Sequence, residues 1–228
     1  MPKINSPYKY QQFKRTSVDG KRLYQNPWGD PVPSVTTILS DTQPAEKRAG
    51  LAAWRKRVGK EEAQRITTTA ANRGTVMHNI LEHWALGDYE TYNPGNNIVH
   101  RQAKAMAQVV VENIENDVEE IWGTEVNLVA KELYAGTTDL VGMYKGKPTI
   151  MDFKQTNKPK KREWIDDYFL QGAAYAIAHN EMYETTIDRV AIFMCSGDCQ
   201  WQLFECGPDE FPEYEVKWAQ RLEKFYGV

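Results

Sequence analysis

The chain has 228 residues, 41% of them hydrophobic, and a net charge of -3, which suits one folded domain with a real core and excludes a globally basic nucleic-acid binder. No apolar run approaches the ~20 residues of a membrane-spanning helix, and Met1-Pro-Lys-Ile-Asn lacks both the apolar stretch of a signal peptide and the Arg/Ser pattern of a transit peptide. With only three cysteines, all between 195 and 206, a disulfide framework is not expected; a reducing cytoplasm is the expected setting and no membrane partner is expected.

Residues 1–33 read as an irregular, wrapping segment, with Tyr8, Tyr10, Phe13, Tyr24 and Trp28 among polar residues and turn signals at Asp19-Gly20 and Gly29-Asp30. Pro33-Ser-Val-Thr36 follows, and Asp41-Thr-Gln-Pro44 caps a helix expected over 45–64, with Leu51, Trp54 and Val58 on one face. A second helix over 66–86 carries Gly74, His78 and Glu82 along one side beside an apolar stripe of Met77, Ile80, Leu81 and Trp84. Gly87-Asp88 ends it, and a third helix is expected over 99–122, with Ala103, Met106, Val110, Ile114 and Ile121 in period.

The period then changes. Strands are expected over Glu125–Leu133, Thr137–Tyr144 and 148–154, with a hairpin at Lys145-Gly-Lys147. A helix over 163–183, strands over 187–195 and 200–206, and a last helix with Pro208 at its first turn complete the chain. The order implies an α/β core with a mixed sheet.

Two local basic runs stand out. Residues 47–65 include Arg55 and Lys56, and residues 154–162 include Lys158, Lys160 and Arg162 with no acid among them. Either could dock a polyanion such as DNA, and either could be an ordinary solvated face. Trp54 and Trp84 fall in apolar stripes and are expected in the core; Trp164 and Tyr168, beside Lys160-Lys-Arg162, are the better candidates for stacking on bases.

The stretch Thr149-Ile-Met-Asp-Phe-Lys-Gln-Thr156 puts Ile150, Asp152 and Lys154 on one face of a strand and Met151 and Phe153 on the other. Asp152 and Lys154 would stand about 6–7 Å apart. A charged face is costly inside a sheet unless it is paired or binds a cation; alone, the pattern also fits a solvated edge strand. The hairpin sets Asp139 on the adjacent strand, and two nearby carboxylates repel unless a divalent cation sits between them. Oxygen ligands with one imidazole, His78, suit Mg²⁺ or Mn²⁺, and Lys154 would hold water or neutralise phosphate charge. Glu82 could orient His78 or make a surface pair with it. His83, His100 and His179 have no such context.

Five motifs occur in a recognisable order: Gly74-Thr-Val-Met-His78, Glu125, Gly136-Thr-Thr-Asp139, Asp152-Phe-Lys154 and Gln171-x-x-x-Tyr175. With Pro33-Ser-Val-Thr36, they make residues 33–206 resemble the PD-(D/E)xK nuclease superfamily. Within it the likeness is to RecB-like exonucleases, above all the branch of mitochondrial genome maintenance exonucleases and their phage relatives. Many members have Glu at the second acidic position, where this chain has Asp152 in the RecB-like D-x-K form.

The resemblance implies a restriction-endonuclease-like core and a single nuclease domain over 1–228. Its residues 1–98 would hold the wrapping segment and a helical arch or lid over DNA, and 99–228 the catalytic core. It implies His78, Asp139, Asp152 and the Phe153 carbonyl as metal ligands, with Asp139, Asp152 and Lys154 catalytic. Gln171 and Tyr175 would support the site or touch DNA, as would Ser34, Thr36, Arg73 and Thr75; Glu125 matches a family acid whose role varies. The expected activity is metal-dependent exonucleolytic cleavage from free ends of single-stranded DNA, in replication, recombination or repair, with a recombinase or single-strand-binding protein as a possible partner. A double-strand exonuclease feeding a recombinase and a non-catalytic DNA-binding scaffold remain the alternatives. An iron–sulfur cluster, carried by some RecB-like nucleases, is not expected, because it needs four thiolates and one upstream of the core.

Overall fold

The computed structural model describes residues 2–228; Met1, the start of the expected wrapping segment, lies outside the described residues. Strands Lys3–Ile4 (β1), Arg15–Val18 (β2), Lys21–Tyr24 (β3) and Val32–Pro33 (β4) come first, then helices Val35–Asp41 (α1), Ala45–Val58 (α2), Lys60–Leu86 (α3) and Ile98–Ile114 (α4). Strands Val118–Ala130 (β5), Tyr134–Tyr144 (β6) and Lys147–Thr156 (β7) follow, then a 3-10 turn at Arg162–Trp164 and helix Asp166–Tyr183 (α5). Strands Val190–Ser196 (β8) and Trp201–Cys206 (β9) and helix Phe211–Tyr226 (α6) complete the described residues.

The main sheet runs β1-β5-β6-β7-β8-β9 and is mixed: β1–β5 and β7–β8 pair parallel, the other pairs antiparallel. The parallel β7–β8 pair needs a crossover, which α5 supplies. β7 is therefore central and covered on both faces, which disposes of the edge-strand reading. Side-chain alternation splits the strand between two cores. Ile150 joins residues of α1, α5 and α6, such as Ile38, Phe169 and Trp218; Met151 and Phe153 join residues of α3 and α4, such as Leu81 and Met106. The central mixed sheet flanked by helices is the α/β architecture the element order implied.

Several boundaries moved, each for a local reason. The first long helix breaks at Gly59, whose φ of 85° is left-handed, rather than near residue 65. The expected Leu51–Trp54–Val58 stripe does not pack inward: α2 buries no residue, and Leu51 is exposed. The third helix stops at Ile114, and Ile121 belongs to β5, because the seven-residue spacing from Ile114 fits a helix while Val118, Ile121 and Trp122 also suit a strand. The segment read as irregular holds the β2–β3 hairpin, turned at Asp19-Gly20 (φ 51° and 76°), and β4 completes a small sheet with it. Trp164 lies in the 3-10 turn ahead of α5 rather than in a helix from 163. In the last helix Pro212, not Pro208, occupies the first turn.

Candidate active site

The local chain geometry at the β6–β7 hairpin positions the central acids. Lys145 and Gly146 have φ of 49° and 71°, the left-handed pair that a two-residue hairpin turn demands. Pairing runs from Tyr144↔Lys147 to Leu140↔Met151. Beyond that rung the Asp139 Oδ2 accepts the Phe153 backbone N–H at 2.7 Å, so a side chain takes the place of a strand partner. In a strand the N–H and C=O of one residue point to the same edge, so the Phe153 carbonyl faces this side as well.

Three other elements converge there. Helix α3 delivers His78, whose Nδ1 lies 3.3 Å from Asp139 Oδ1. Strand β5 delivers Glu125 with an unusual φ of 47°, next to a register shift between Ile121 and Gly123. Lys154 and Asp152, on one face of β7 as expected, form an ion pair at Asp152 Oδ2, and Lys154 Nζ also sits 5.1 Å from the Tyr168 ring centroid. These groups line one cleft of about 570 Å³ together with Gly74, Thr75, Glu82, Gln171 and Tyr175.

Donor atoms of His78, Glu125 and Asp139 all lie within 4.8 Å of one another. One imidazole with carboxylate oxygens is the donor set of a hard divalent cation, so the residues present fit Mg²⁺ or Mn²⁺. Glu125, matching the family acid of variable role, stands inside this trio. Asp152 stands just outside it, its Oδ2 turned to Lys154. The signal for Glu125 was its motif position alone, since no side-chain alternation foretells a left-handed residue in a strand.

The electrostatics bear the marks of a charge-dense pocket. Burial, the Asp139 charge and Glu82 raise the Glu125 carboxyl to about 7. Burial also raises the Asp152 carboxyl, against the pull of Lys154. For Asp139, burial pushes upward but the His78 charge outweighs it, and the net direction is down. Burial disfavours charge on His78 and Lys154, yet Asp139 and Asp152 respectively outweigh it and hold both cations up.

The remaining expected residues divide. Ser34 caps α1, its hydroxyl accepting the Thr37 N–H at 3.0 Å, and Thr36 lies beside it at the cleft. Gln171 Nε2 donates to the Tyr175 hydroxyl at 3.0 Å. Glu82 lines the cleft without holding His78, whose polar partner is Asp139. Arg73 is buried and donates to Gln155 at 2.9 Å, Gln102 at 3.2 Å and Asn157, so it clasps α3, α4 and the end of β7, a supporting position. Arg162 is held by Glu210 and the Glu205 carbonyl and lies over Phe169, so it too is engaged within the protein.

Lys158 and Lys160 line a groove of about 750 Å³ with Arg65, Ile66, Tyr168 and Trp54. Trp54, expected in the core, faces this groove because α2 has no core to join; Trp84 is buried as expected. Arg55 and Lys56 are exposed on α2, outside both spaces. Trp164 is exposed beside Lys161. Arg15 and Arg22, which no motif singled out, line the cleft from the small sheet.

A fold of this kind, with acids and a lysine at the splayed end of a central hairpin, makes an α/β protein whose cleft suits a divalent cation. No family model matches the chain. It is similar to mitochondrial genome maintenance exonuclease 1 of Mus musculus, 29% identical over 207 residues, covering 85% of this chain and 59% of the relative. The Homo sapiens protein of that name is 24% identical over 216 residues (85% and 58%), and that of Xenopus tropicalis 29% over 207 (85% and 57%). The chain thus spans less than two thirds of these relatives. Among solved structures, a candidate exonuclease from Eubacterium rectale superposes with a TM-score of 0.43 at 13% identity over 68% of each chain, a likeness too slight to inform the site. The similarities bear out the resemblance carried by the motifs: the chain is similar to the mitochondrial genome maintenance exonucleases.

Proposed function

We propose that this chain is a divalent-metal-dependent DNA exonuclease acting from free ends of single strands. The carrying observation is the convergence of His78, Glu125, Asp139, Asp152 and Lys154 in one cleft. His78, Glu125 and Asp139 would hold the cation, with Asp152 and the Phe153 carbonyl at its margin. A bound Mg²⁺ or Mn²⁺ supplies Lewis acidity toward water and phosphate oxygens. Lys154, kept protonated by Asp152, serves as a donor rather than a base: it orients the attacking water or neutralises charge on the phosphate. The Asp139 bond to the Phe153 N–H fixes one carboxylate in advance, so little reorganisation is needed when substrate arrives.

Single-strand preference is supported by the groove of Trp54, Ile66 and Tyr168, whose apolar faces suit unpaired bases while Lys158 and Lys160 suit phosphates. Helix α2, with no buried residue and with Lys47 tied to Asp167 of α5 at 3.1 Å, would act as a strap over that groove, the arch expected from the family. The relatives' name, exonuclease of mitochondrial genome maintenance, supports the same activity class. End-labelled oligonucleotides of both polarities, single-stranded, blunt duplex and circular, tested with Mg²⁺, Mn²⁺ or EDTA, check the reading. Cleavage of linear single strands only, and only with metal, is expected. Equal or faster digestion of duplex favours the recombinase-feeding alternative, and metal-independent binding without turnover favours the scaffold.

A further inference from the structure

Beside the cleft lies a second cavity of about 510 Å³ between the β2–β3 hairpin and α1. Arg15, Arg22 and Thr36 line both spaces, so the two adjoin. The hairpin register, Arg15↔Tyr24 and Ser17↔Arg22, puts Arg15, Ser17, Arg22 and Tyr24 on one face of the small sheet. Tyr24 anchors that face over the cleft: it is buried, and its hydroxyl lies 3.0 Å from Thr137 Oγ1, on the strand that carries Asp139. Lys21, on the opposite face, is taken up by Asp41 at 2.7 Å. Among the described residues neither Arg15 nor Arg22 is in an ion pair, and both are exposed and line the cavity.

The lining has a distinct chemistry. It is built from hydroxyls (Thr16, Ser17, Thr36, Thr37, Ser40), the cations Arg15 and Arg22, and the Lys21–Asp41 ion pair, whose charges offset each other, and it contains no aromatic ring. Such a surface has nothing for a base to stack on but suits a sugar–phosphate backbone, and a guanidinium fork matches phosphate oxygens. The groove of Trp54 and Tyr168, on the flank where Lys154 lies, also holds cations but adds the aromatic faces that this cavity lacks.

We propose that Arg15 and Arg22 form a phosphate-binding subsite that grips the DNA strand on the flank of the cut away from Trp54 and Tyr168. The strand is then read through its bases on one flank and through its backbone alone on the other. The subsite rests on the nuclease reading, and its test separates the two.

The full chain and its Arg15→Gln/Arg22→Gln double variant are compared on single-stranded oligonucleotides in which one phosphate at a time is replaced by a neutral methylphosphonate. The wild-type chain is expected to lose about tenfold in cleavage when one or two particular linkages on one side of the scissile bond are neutralised. The double variant binds about tenfold more weakly and no longer distinguishes those linkages. In EDTA its salt slope of binding is shallower by about 1.4, at ~0.7 for each phosphate that an arginine no longer neutralises. Its melting temperature should match wild type, since both side chains are exposed. A double variant that keeps the methylphosphonate penalty overturns the subsite, even if its salt slope has changed, because the arginines then act only as diffuse charge. A wild-type chain that neither binds nor cuts any oligonucleotide overturns the nuclease reading and the subsite together.

Discussion

Asp139 and Phe153 are joined by a 2.7 Å bond from the Phe153 amide to the Asp139 carboxylate, where the β6–β7 ladder would otherwise continue. One carboxylate oxygen thus serves the fold and the other, 3.3 Å from His78, serves the cleft. Asp139→Asn keeps an acceptor for the Phe153 N–H but removes the charge. It should fold with a melting temperature close to wild type and lose at least about 100-fold in cleavage. A large drop in melting temperature would show that the charge itself holds the hairpin end.

Lys154 and Asp152 are both nearly buried, with side chains 17% and 3% exposed. Removing one partner leaves the other charge stranded, at a cost of about 3 kcal/mol. Lys154→Met and Asp152→Asn should each abolish cleavage while leaving DNA binding. In urea unfolding with EDTA, the double variant should be less destabilised than the sum of the two singles, because neither charge is left alone.

Trp54 contributes to no core, so Trp54→Ala should leave melting unchanged. If bases stack in the groove, single-strand affinity falls by about 1–3 kcal/mol while duplex affinity is untouched. Fluorescence anisotropy on the two substrates reads the difference.

Gly136, the first residue of the Gly136-Thr-Thr-Asp139 motif, lets Tyr175 lie against the strand backbone: a Cβ there would run into Tyr175 Cε1 and come within 3.1 Å of its hydroxyl. Gly136→Ala should cost about 1–3 kcal/mol and lower cleavage by displacing Tyr175 and the Gln171 bonded to it. Tyr175→Phe, which removes only the hydroxyl, separates the packing effect from the polar one.

His179 is buried between Tyr10, 3.0 Å from one ring nitrogen, and Thr185, 2.8 Å from the other, and burial lowers its pKa to about 4. Unfolded histidine titrates near 6.5. Between these values the unfolded chain takes up a proton that the folded chain refuses, so stability is full above about pH 6.5 and falls as pH drops toward 4. The loss should reach roughly 2 kcal/mol at pH 5 relative to pH 7, read from urea midpoints; His179→Asn should be weaker at pH 7 but flatter across that window.

Much of the site was legible because its residues violate local expectation. A charged face on a strand that proves central, a histidine on the side of an otherwise packed helix, and a lone Asp in an apolar strand can each be seen without coordinates. The trio that fits a cation was less legible, because Glu125 reaches it only through a left-handed backbone beside a register shift. Arg73 and Arg162 carry the same charge as groove lysines in the sequence, and nothing local says that their partners lie across the fold. Trp54 failed for the converse reason: periodicity marks an apolar face, but it does not say whether another element comes to cover it. The hairpin of β2 and β3 was missed because its strands are four residues each and largely exposed, with only Tyr24 buried, too little to carry a visible alternation.

The two-residue turn at Lys145-Gly146 also bears on the order of assembly. Asp139 and Asp152 are brought together by the most local pairing in the main sheet, a hairpin of a kind that closes within about 1–10 μs. The parallel partner β8 must wait for α5 to cross over, and His78 must return from a helix that precedes the whole meander. Loop closure over such distances is slow, and its entropy is spent before the long-range contacts form. The acids therefore meet early and repel, and the histidine that relieves Asp139 comes late. Divalent cation present during refolding should speed the recovery of native structure, since it offers the carboxylates a partner before the chain can.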